Sequence, residues 1–227
     1  MTIFQPETVQ AILFDLDGTL VDTDDHSVAR MAQRLRPLLR GRSDRFARRL
    51  VMAIETPGNS AITALDILGL DAPVFRLGDR VRHWRQPGHQ LAFHLIPGVE
   101  AMMAQLVGRY RLALVTTRGR GHIDAFLQAF PQIGQVLEVT CGLEDTYRLK
   151  PHPAPLWHAA AHLQVPIQNC LMVGDTTVDV KAARRAGAQC VAVLCGFGER
   201  RELERAGAHL ILDSTAELTQ HLASLRV

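Results

Sequence analysis

Apolar residues gather along the chain in six short, nearly unbroken runs: AILFDLD (11–17), LALVTT (112–117), VLEVT (136–140), CLMVGD (170–175), CVAVLC (190–195) and LILD (210–213). Continuous runs of this length, rather than strict alternation, predict strands covered on both faces. Helical spacing recurs between them. PGVEAMMAQLVGR opens with Pro97, a residue suited to a first helical turn; HIDAFLQAF, APLWHAAAHL and TTVDVKAARRAG follow, the last closed by Gly187. Alternation of strand and helix from about residue 96 onward predicts an α/β fold with a parallel sheet and right-handed crossovers. The C-terminal STAELTQHLASLRV predicts a surface helix with an apolar stripe, capped by Ser214 or Thr215 with Glu217 in its first turn.

Residues 23–94 break this rhythm. HSVARMAQRLRPLLRG, SDRFARRLVMAIE, NSAITALDILG and VFRLGDRVRHW all carry helical spacing, with no strand run among them. The pattern predicts a core built from residues 1–22 and 95–227 and a helical insertion over 23–94, hinged near Asp22–Asp24 and near FHLIPG. The insertion is rich in arginine, with Arg30, Arg34, Arg36, Arg40, Arg42, Arg45, Arg48 and Arg49 close together. Such a run reads first as a solvated face; a subset, with Arg42, Arg45 or Arg82 as candidates, would suit an anionic substrate.

At 227 residues, 47% hydrophobic and 21% charged, the chain has material for a sizeable core. A formal charge of +2 gives no strong pull toward nucleic acid, no apolar run is long enough to span a bilayer, and MTIFQPETVQ lacks the pattern of a secretory signal. Neither nucleic acid nor membrane is an expected partner, and the expected state is a monomer or homodimer. Cys141, Cys170, Cys190 and Cys195 each lie in or beside apolar runs and read as reduced thiols of a cytoplasmic protein rather than a zinc site. Of 25 basic residues only Lys150 and Lys181 are lysines, so a lysine here calls for a reason.

Candidate chemistry follows from how the runs end, because ligands of open α/β sheets sit at the carboxyl ends of strands. The first run ends in Asp15 and Asp17, the second in Thr116 and Thr117. The run at 170 ends in Gly174 and Asp175, with Asp179 one helical turn on, and Lys150 stands in the loop RLKPHP. Acids closing a core strand are costly unless paired or metal-bound. Two pairs of acids, a hydroxyl and a lysine suit magnesium, which prefers hard oxygen ligands, and a phosphate that needs its charge neutralised. Lysine does this as a compact point charge. Asp15 and Asp17, two apart on a strand, would point the same way, one to attack and the other to move a proton. The alternative for Asp175 and Asp179 is helix capping, which leaves the rest of the set unexplained.

Taken together, DLDGTLVDT, Thr116 after an apolar strand, KPHP and GDTTVD resemble the haloacid dehalogenase superfamily, and most closely its phosphoglycolate phosphatase-like branch. The resemblance implies a Rossmann-like core with a helical cap inserted after the first strand. It also implies a Mg²⁺-dependent phosphatase acting on a small phosphomonoester. Asp15 would be the nucleophile that forms an aspartyl-phosphate. Asp17 would protonate the leaving oxygen, then activate water, and lend its carbonyl to the metal. Thr116, the Thr117 main chain and Lys150 would bind the phosphoryl group. Asp15 and Asp175 would bind Mg²⁺, Asp179 would act at the metal's edge or steady Lys150, and Gly18 and Thr19 would shape the turn toward the cap.

Within the same architecture, a pyrophosphatase and a sugar-phosphate mutase similar to β-phosphoglucomutase are alternatives. Against the mutase, Ser27 stands where such enzymes have a cap histidine, with His26 one position early. A metal-independent dehalogenase fits the acid set less well, and a non-catalytic binding protein would not be expected to keep every member of it. RGRGHID (118–124) reads as a turn because its third glycine is missing; His158 and His162 read as part of an amphipathic helix, and Lys181, Arg184 and Arg185 as solvent-facing.

Overall fold

The computed structural model describes residues 4–22 and 93–223. Six parallel strands form one sheet: β1 (Ala11–Phe14), β2 (Arg111–Val115), β3 (Val139–Cys141), β4 (Cys170–Gly174), β5 (Gln189–Val193) and β6 (Leu210–Leu212). Their order, β3-β2-β1-β4-β5-β6, is that of a doubly wound, Rossmann-like sheet. The direction of winding reverses beside β1, so the crevice between the carboxyl ends of β1 and β4 is where such a sheet binds ligands.

The unbroken apolar runs have the expected cause: both faces of the sheet are covered. Ile12, Phe14, Leu112, Leu114, Leu171, Val173, Val191 and Val193 point to one face. There they meet α1 (Val99–Leu106), α2 (Arg120–Ala129) and α7 (Leu218–Ala223) through Met102, Met103, Leu106, Ile123, Phe126, Leu218 and Leu222. The alternate residues, Ala11, Leu13, Ala113, Val115, Cys170, Met172, Cys190 and Ala192, point to the other. These meet α4 (Ala154–His162), α5 (Thr177–Ala186) and α6 (Arg200–Ala206), a layer rich in small side chains such as Ala159, Ala160, Ala182 and Ala183. All four cysteines are free thiols; Cys141, Cys170 and Cys190 are buried, and burial raises the first two to about 12 and about 11.

Several boundaries differ from the sequence expectation. Helix α1 starts at Val99, not at Pro97, because Gly98 at its N-cap has φ 87°, outside helical space. Strand β3 starts three residues into the predicted run, since Val136 and Leu137 donate their N–H groups to Ile133, continuing the turn after the short α3 (Pro131–Gly134). Helix α6 escapes the periodicity because Leu203 is its one buried residue. Gly187 ends α5 at φ 85°, as expected. Ser214, rather than Thr215, caps the C-terminal segment, accepting from Ala216 N–H at 3.4 Å; one 3-10 turn (Thr215–Glu217) then leads into α7.

The helical unit expected over 23–94 lies, but for Phe93 and His94, outside the described residues, as do the arginines from Arg30 to Arg49, Arg82, and the His26–Ser27 pair. Its two ends are described and lie side by side. Asp22 N–H donates to His94 C=O at 2.7 Å, Ile96 N–H donates to Leu20 C=O at 3.0 Å, and Val21 bridges Leu95 in antiparallel fashion. The chain therefore leaves and rejoins the core at one point, just past the end of β1. Among the described residues no helix is long and apolar enough to cross a membrane.

The face holding Phe126 supplies a stability test. Phe126 is fully buried, with the Phe93 and Phe130 rings 5.8 and 5.6 Å from its own. Phe126→Ala is expected to lower unfolding stability by about 3–5 kcal/mol in urea titration; a loss below about 1 kcal/mol would mean that this core is not packed as described.

Candidate active site

Strand β1 delivers Asp15 to the crevice: its N–H still bonds Val173 C=O at 2.9 Å, so the residue is held by β4 just beyond the last strand position. Its carboxylate is largely buried, with 12% of the side chain exposed. Asp15 Oδ1 accepts from Lys150 Nζ at 2.6 Å, and the same ammonium donates to Asp179 Oδ1 at 2.7 Å and to Val115 C=O at 2.8 Å. Lys150 is 2% exposed. Its three donors are therefore spent on residues from the ends of β1, β2 and the start of α5.

Asp179 serves two purposes at once. Its second oxygen accepts from Thr176 N–H at 3.1 Å and Thr176 Oγ1 at 2.7 Å, closing a capping box at the head of α5. Both of its oxygens are thus engaged, which makes Asp179 the residue that steadies Lys150. Capping is real here, and it orients the acid that grips the lysine. Asp175 stands apart from that role: its Oδ2 accepts from Phe197 N–H at 2.7 Å, in the loop after β5. One carboxylate oxygen from each of Asp15, Asp175 and Asp179 lies within 4.8 Å of the others.

Two glycines let the backbone come this close. Gly18 turns at φ 72°, and a Cβ on it would overlap the Asp175 carboxylate; a Cβ on Gly196 would overlap the same carboxylate and Gly18 C=O. Gly174 lies directly against Asp179. Thr19 is fully buried and its C=O accepts from Thr215 Oγ1 at 2.6 Å, tying the turn to the C-terminal segment. Thr116, 3% exposed, directly follows Val115, whose C=O accepts from Lys150 Nζ; the Thr116 Oγ1 accepts from Arg118 N–H at 3.2 Å. Thr117 comes next and is half-buried.

Asp17 lies beyond the strand, so it does not share a strand face with Asp15 as the spacing predicts. Strand β1 ends at Phe14, and the chain curls back so that Leu20 and Val21 N–H bond Leu16 C=O. Asp17 therefore sits in a turn, and its Oδ2 accepts from Arg118 Nε at 2.7 Å rather than from Lys150. Arg118 belongs to the RGRGHID segment read as a turn; the segment is a turn only to Gly119, after which α2 begins at Arg120. A basic residue two places after Thr116 was the available signal. The Phe197 N–H contact, a main-chain donor, had none. His158 and His162 stack at 4.1 Å on α4, with His162 Nδ1 bonded to His158 C=O.

Electrostatically the site is short of positive charge. Three carboxylates cluster around the one buried ammonium of Lys150, which bonds two of them, Asp15 and Asp179. Burial pushes Asp15 up to about 7, and the Asp179 charge adds to that, against the opposing pull of Lys150. Burial also works against the charged form of Lys150, but the Asp15 and Asp179 charges and hydrogen bonds together exceed it, so the lysine is raised and stays protonated. The donor set, hard carboxylate oxygens in a charge-deficient cluster, fits a divalent cation such as Mg²⁺.

The family described as haloacid dehalogenase-like hydrolase matches residues 12–193. The chain belongs to that family. A phosphoglycolate phosphatase of Cupriavidus necator is 33% identical over 236 residues, covering 96% of this chain and 94% of its own. The pyrophosphatase PpaX of Bacillus mycoides is 26% identical over 222 residues, covering 96% and 98%. A hydrolase from Pseudomonas syringae shares the fold with a TM-score of 0.62 at 22% identity, over 96% of this chain and all of that one. This haloacid dehalogenase-like hydrolase falls in the phosphoglycolate phosphatase-like branch, and it is a hydrolase of the phosphatase type.

Removing the ammonium strands the acids around it. Lys150→Met is expected to cost about 3–5 kcal/mol of unfolding stability in metal-free buffer near neutral pH. The penalty shrinks as pH falls through about 7, because Asp15 is then protonated and needs no counter-charge. A penalty that stays constant or grows on acidification, in paired urea titrations, would show that Lys150 does not offset the Asp15 charge.

Proposed function

We propose that this hydrolase is a Mg²⁺-dependent phosphatase that cleaves a small phosphomonoester through a phosphoryl group carried on Asp15. One observation carries the reading: the Asp15 carboxylate is buried, held 2.6 Å from a buried lysine, and clustered with Asp175 and Asp179 where positive charge is lacking. A strand-end carboxylate placed for structure alone would be relieved by a second cation of the chain or by water.

Asp15, Asp175 and the main-chain carbonyl of Asp17 are the groups that would hold Mg²⁺. Bound there, the ion supplies the charge that lets an anionic phosphoryl group approach an anionic nucleophile. Lys150, the Thr116 hydroxyl and the Thr117 main chain steady the phosphoryl oxygens. An Asp15 oxygen forms a bond to phosphorus as the ester oxygen leaves, taking a proton from Asp17. Asp17 then takes a proton from water as that water attacks the phosphorus. Inorganic phosphate departs and the Asp15 carboxylate is restored.

The substrate reading is a small phosphorylated metabolite of the phosphoglycolate kind, supported by the 33% identical relative over nearly the whole chain. The PpaX relative favours a second reading, pyrophosphate hydrolysis by the same steps. Both substrates named by those relatives carry a second anionic group beyond the bond that breaks. The four free thiols suit a cytoplasmic enzyme, working as a monomer or homodimer without nucleic acid or membrane.

Phosphate release from a panel of phosphorylated metabolites, with Mg²⁺ present, tests the reading. Asp15→Asn is expected to lower kcat by about a thousandfold or more; turnover within about tenfold of wild type would remove Asp15 from the mechanism. A binding measurement checks the metal separately. Burial holds Asp15 at about 7 in the metal-free site, so protons compete with the cation there. Mg²⁺ should raise the melting temperature more at about pH 8 than at about pH 5. Equal shifts at both would contradict a carboxylate metal site that includes Asp15.

A further inference from the structure

Asp17 has an unusual guardian. Arg118 Nε donates to Asp17 Oδ2 at 2.7 Å, and among the described residues this is the one hydrogen bond made to the Asp17 carboxylate. The other oxygen, Oδ1, is buried and has no hydrogen-bond partner among them. Arg118 is also anchored on the phosphoryl side of the site, since its N–H donates to Thr116 Oγ1 at 3.2 Å. Its side chain is 34% exposed, against 15% for Asp17 and 3% for Lys150. Of the two described cations of the site, the guanidinium is thus the more exposed, and it is bonded to the acid assigned to the leaving oxygen.

That placement sets up a competition. While Arg118 holds Oδ2, Asp17 is engaged in a charge-assisted bond and is not presented to a leaving oxygen. An incoming small anion offers the guanidinium a planar, two-oxygen partner, which Arg binds better than a single carboxylate oxygen. Only an anion attached to the leaving group arrives at that position together with the phosphoryl group.

Building on the phosphatase reading above, we propose that Arg118 is a specificity residue that exchanges partners, leaving Asp17 for an anionic group on the leaving half of the substrate and so freeing Asp17 for proton transfer. The substrate class is a phosphate ester or anhydride whose leaving group bears a carboxylate or phosphate close to the bond that breaks. A neutral leaving group does not displace Arg118 and is turned over less well.

The test compares kcat/KM for phosphoglycolate with that for hydroxyethyl phosphate, a near-isosteric ester whose leaving group is uncharged, in wild type, Arg118→Ala and Arg118→Lys with Mg²⁺ present. Wild type favours phosphoglycolate. In Arg118→Ala the ratio of the two falls by about 10–100-fold, the worth of a hydrogen-bonded charge pair. In Arg118→Lys the ratio falls less, because a point charge remains without the fork. A general structural defect would lower both substrates alike, leaving the ratio in place, and circular dichroism confirms that each variant is folded. If Arg118→Ala does not fold, Arg118→Lys alone decides: a reduced ratio supports the exchange, and an unchanged one overturns it.

A third arm with pyrophosphate separates phosphate from carboxylate recognition; Arg118 sensitivity toward either anion supports the exchange, and sensitivity toward neither overturns it. Wild-type ratios near one for both phosphoglycolate and pyrophosphate, each taken against hydroxyethyl phosphate, also overturn it. If wild type releases phosphate from none of these compounds, nor from other phosphorylated metabolites, the phosphatase reading itself fails and the exchange with it. Ready release with an Arg118-independent ratio removes the Arg118 assignment alone.

Discussion

A single buried ammonium organises this molecule. Lys150 donates to Asp15, to Asp179 and to Val115 C=O, and those acceptors belong to three separate stretches of chain. They become neighbours only because β2, β1 and β4 are adjacent in the sheet. The lysine is therefore a reporter of the topology: a different strand order would leave a charged side chain in the core with nothing to bind. Its burial carries a heavy desolvation penalty that only close, well-aligned acceptors offset. The geometry of the candidate site and the assembly of the fold are in this sense one constraint.

The same constraint explains the local sequence around the acids. Gly18 and Gly196 let two loops close on Asp175, and Gly174 lets β4 pass under Asp179. The capping box at Thr176 fixes Asp179 with one oxygen while the other faces Lys150. Once these contacts are made, the acids outnumber the cations, and Asp15 is left with a raised proton affinity. A site whose clustered acids outnumber its buried cation is suited to take up a divalent cation and an anion together.

Much of this was legible in the residues, and the misses share a cause. Six strands could be read because both sheet faces are covered, so alternate residues of each strand are all apolar. Asp15, Lys150, Asp175 and Asp179 could be read because acids and a rare lysine at strand ends have few structural explanations. Helix α6 could not, since a helix that buries only Leu203 leaves no stripe. Asp17 was placed on a strand because Leu16 continues the apolar run, yet Gly18 turns the chain and sends Asp17 to Arg118. Arg118 itself was hidden in a chain that uses arginine for nearly every positive charge. Phe197 was out of reach, since its contact with Asp175 is made by main chain. Side-chain identity foretells chemistry when it is costly to the fold; it says little where the backbone does the work or where the residue type is common.

Membership of the haloacid dehalogenase-like hydrolases places these contacts in an enzyme, and the step of the proposed mechanism that depends most directly on them is the transfer of a phosphoryl group to Asp15. Rapid acid quench during turnover, followed by peptide mass spectrometry, observes that step itself. The expected result is the mass of one phosphoryl group on the peptide that contains Asp15, transient in the native enzyme and longer-lived when Asp17 is replaced by Asn. Turnover that proceeds with the phosphoryl group on a different residue would contradict the assignment of Asp15 as nucleophile, and so would its continuing at full rate with no phosphorylated peptide in either protein.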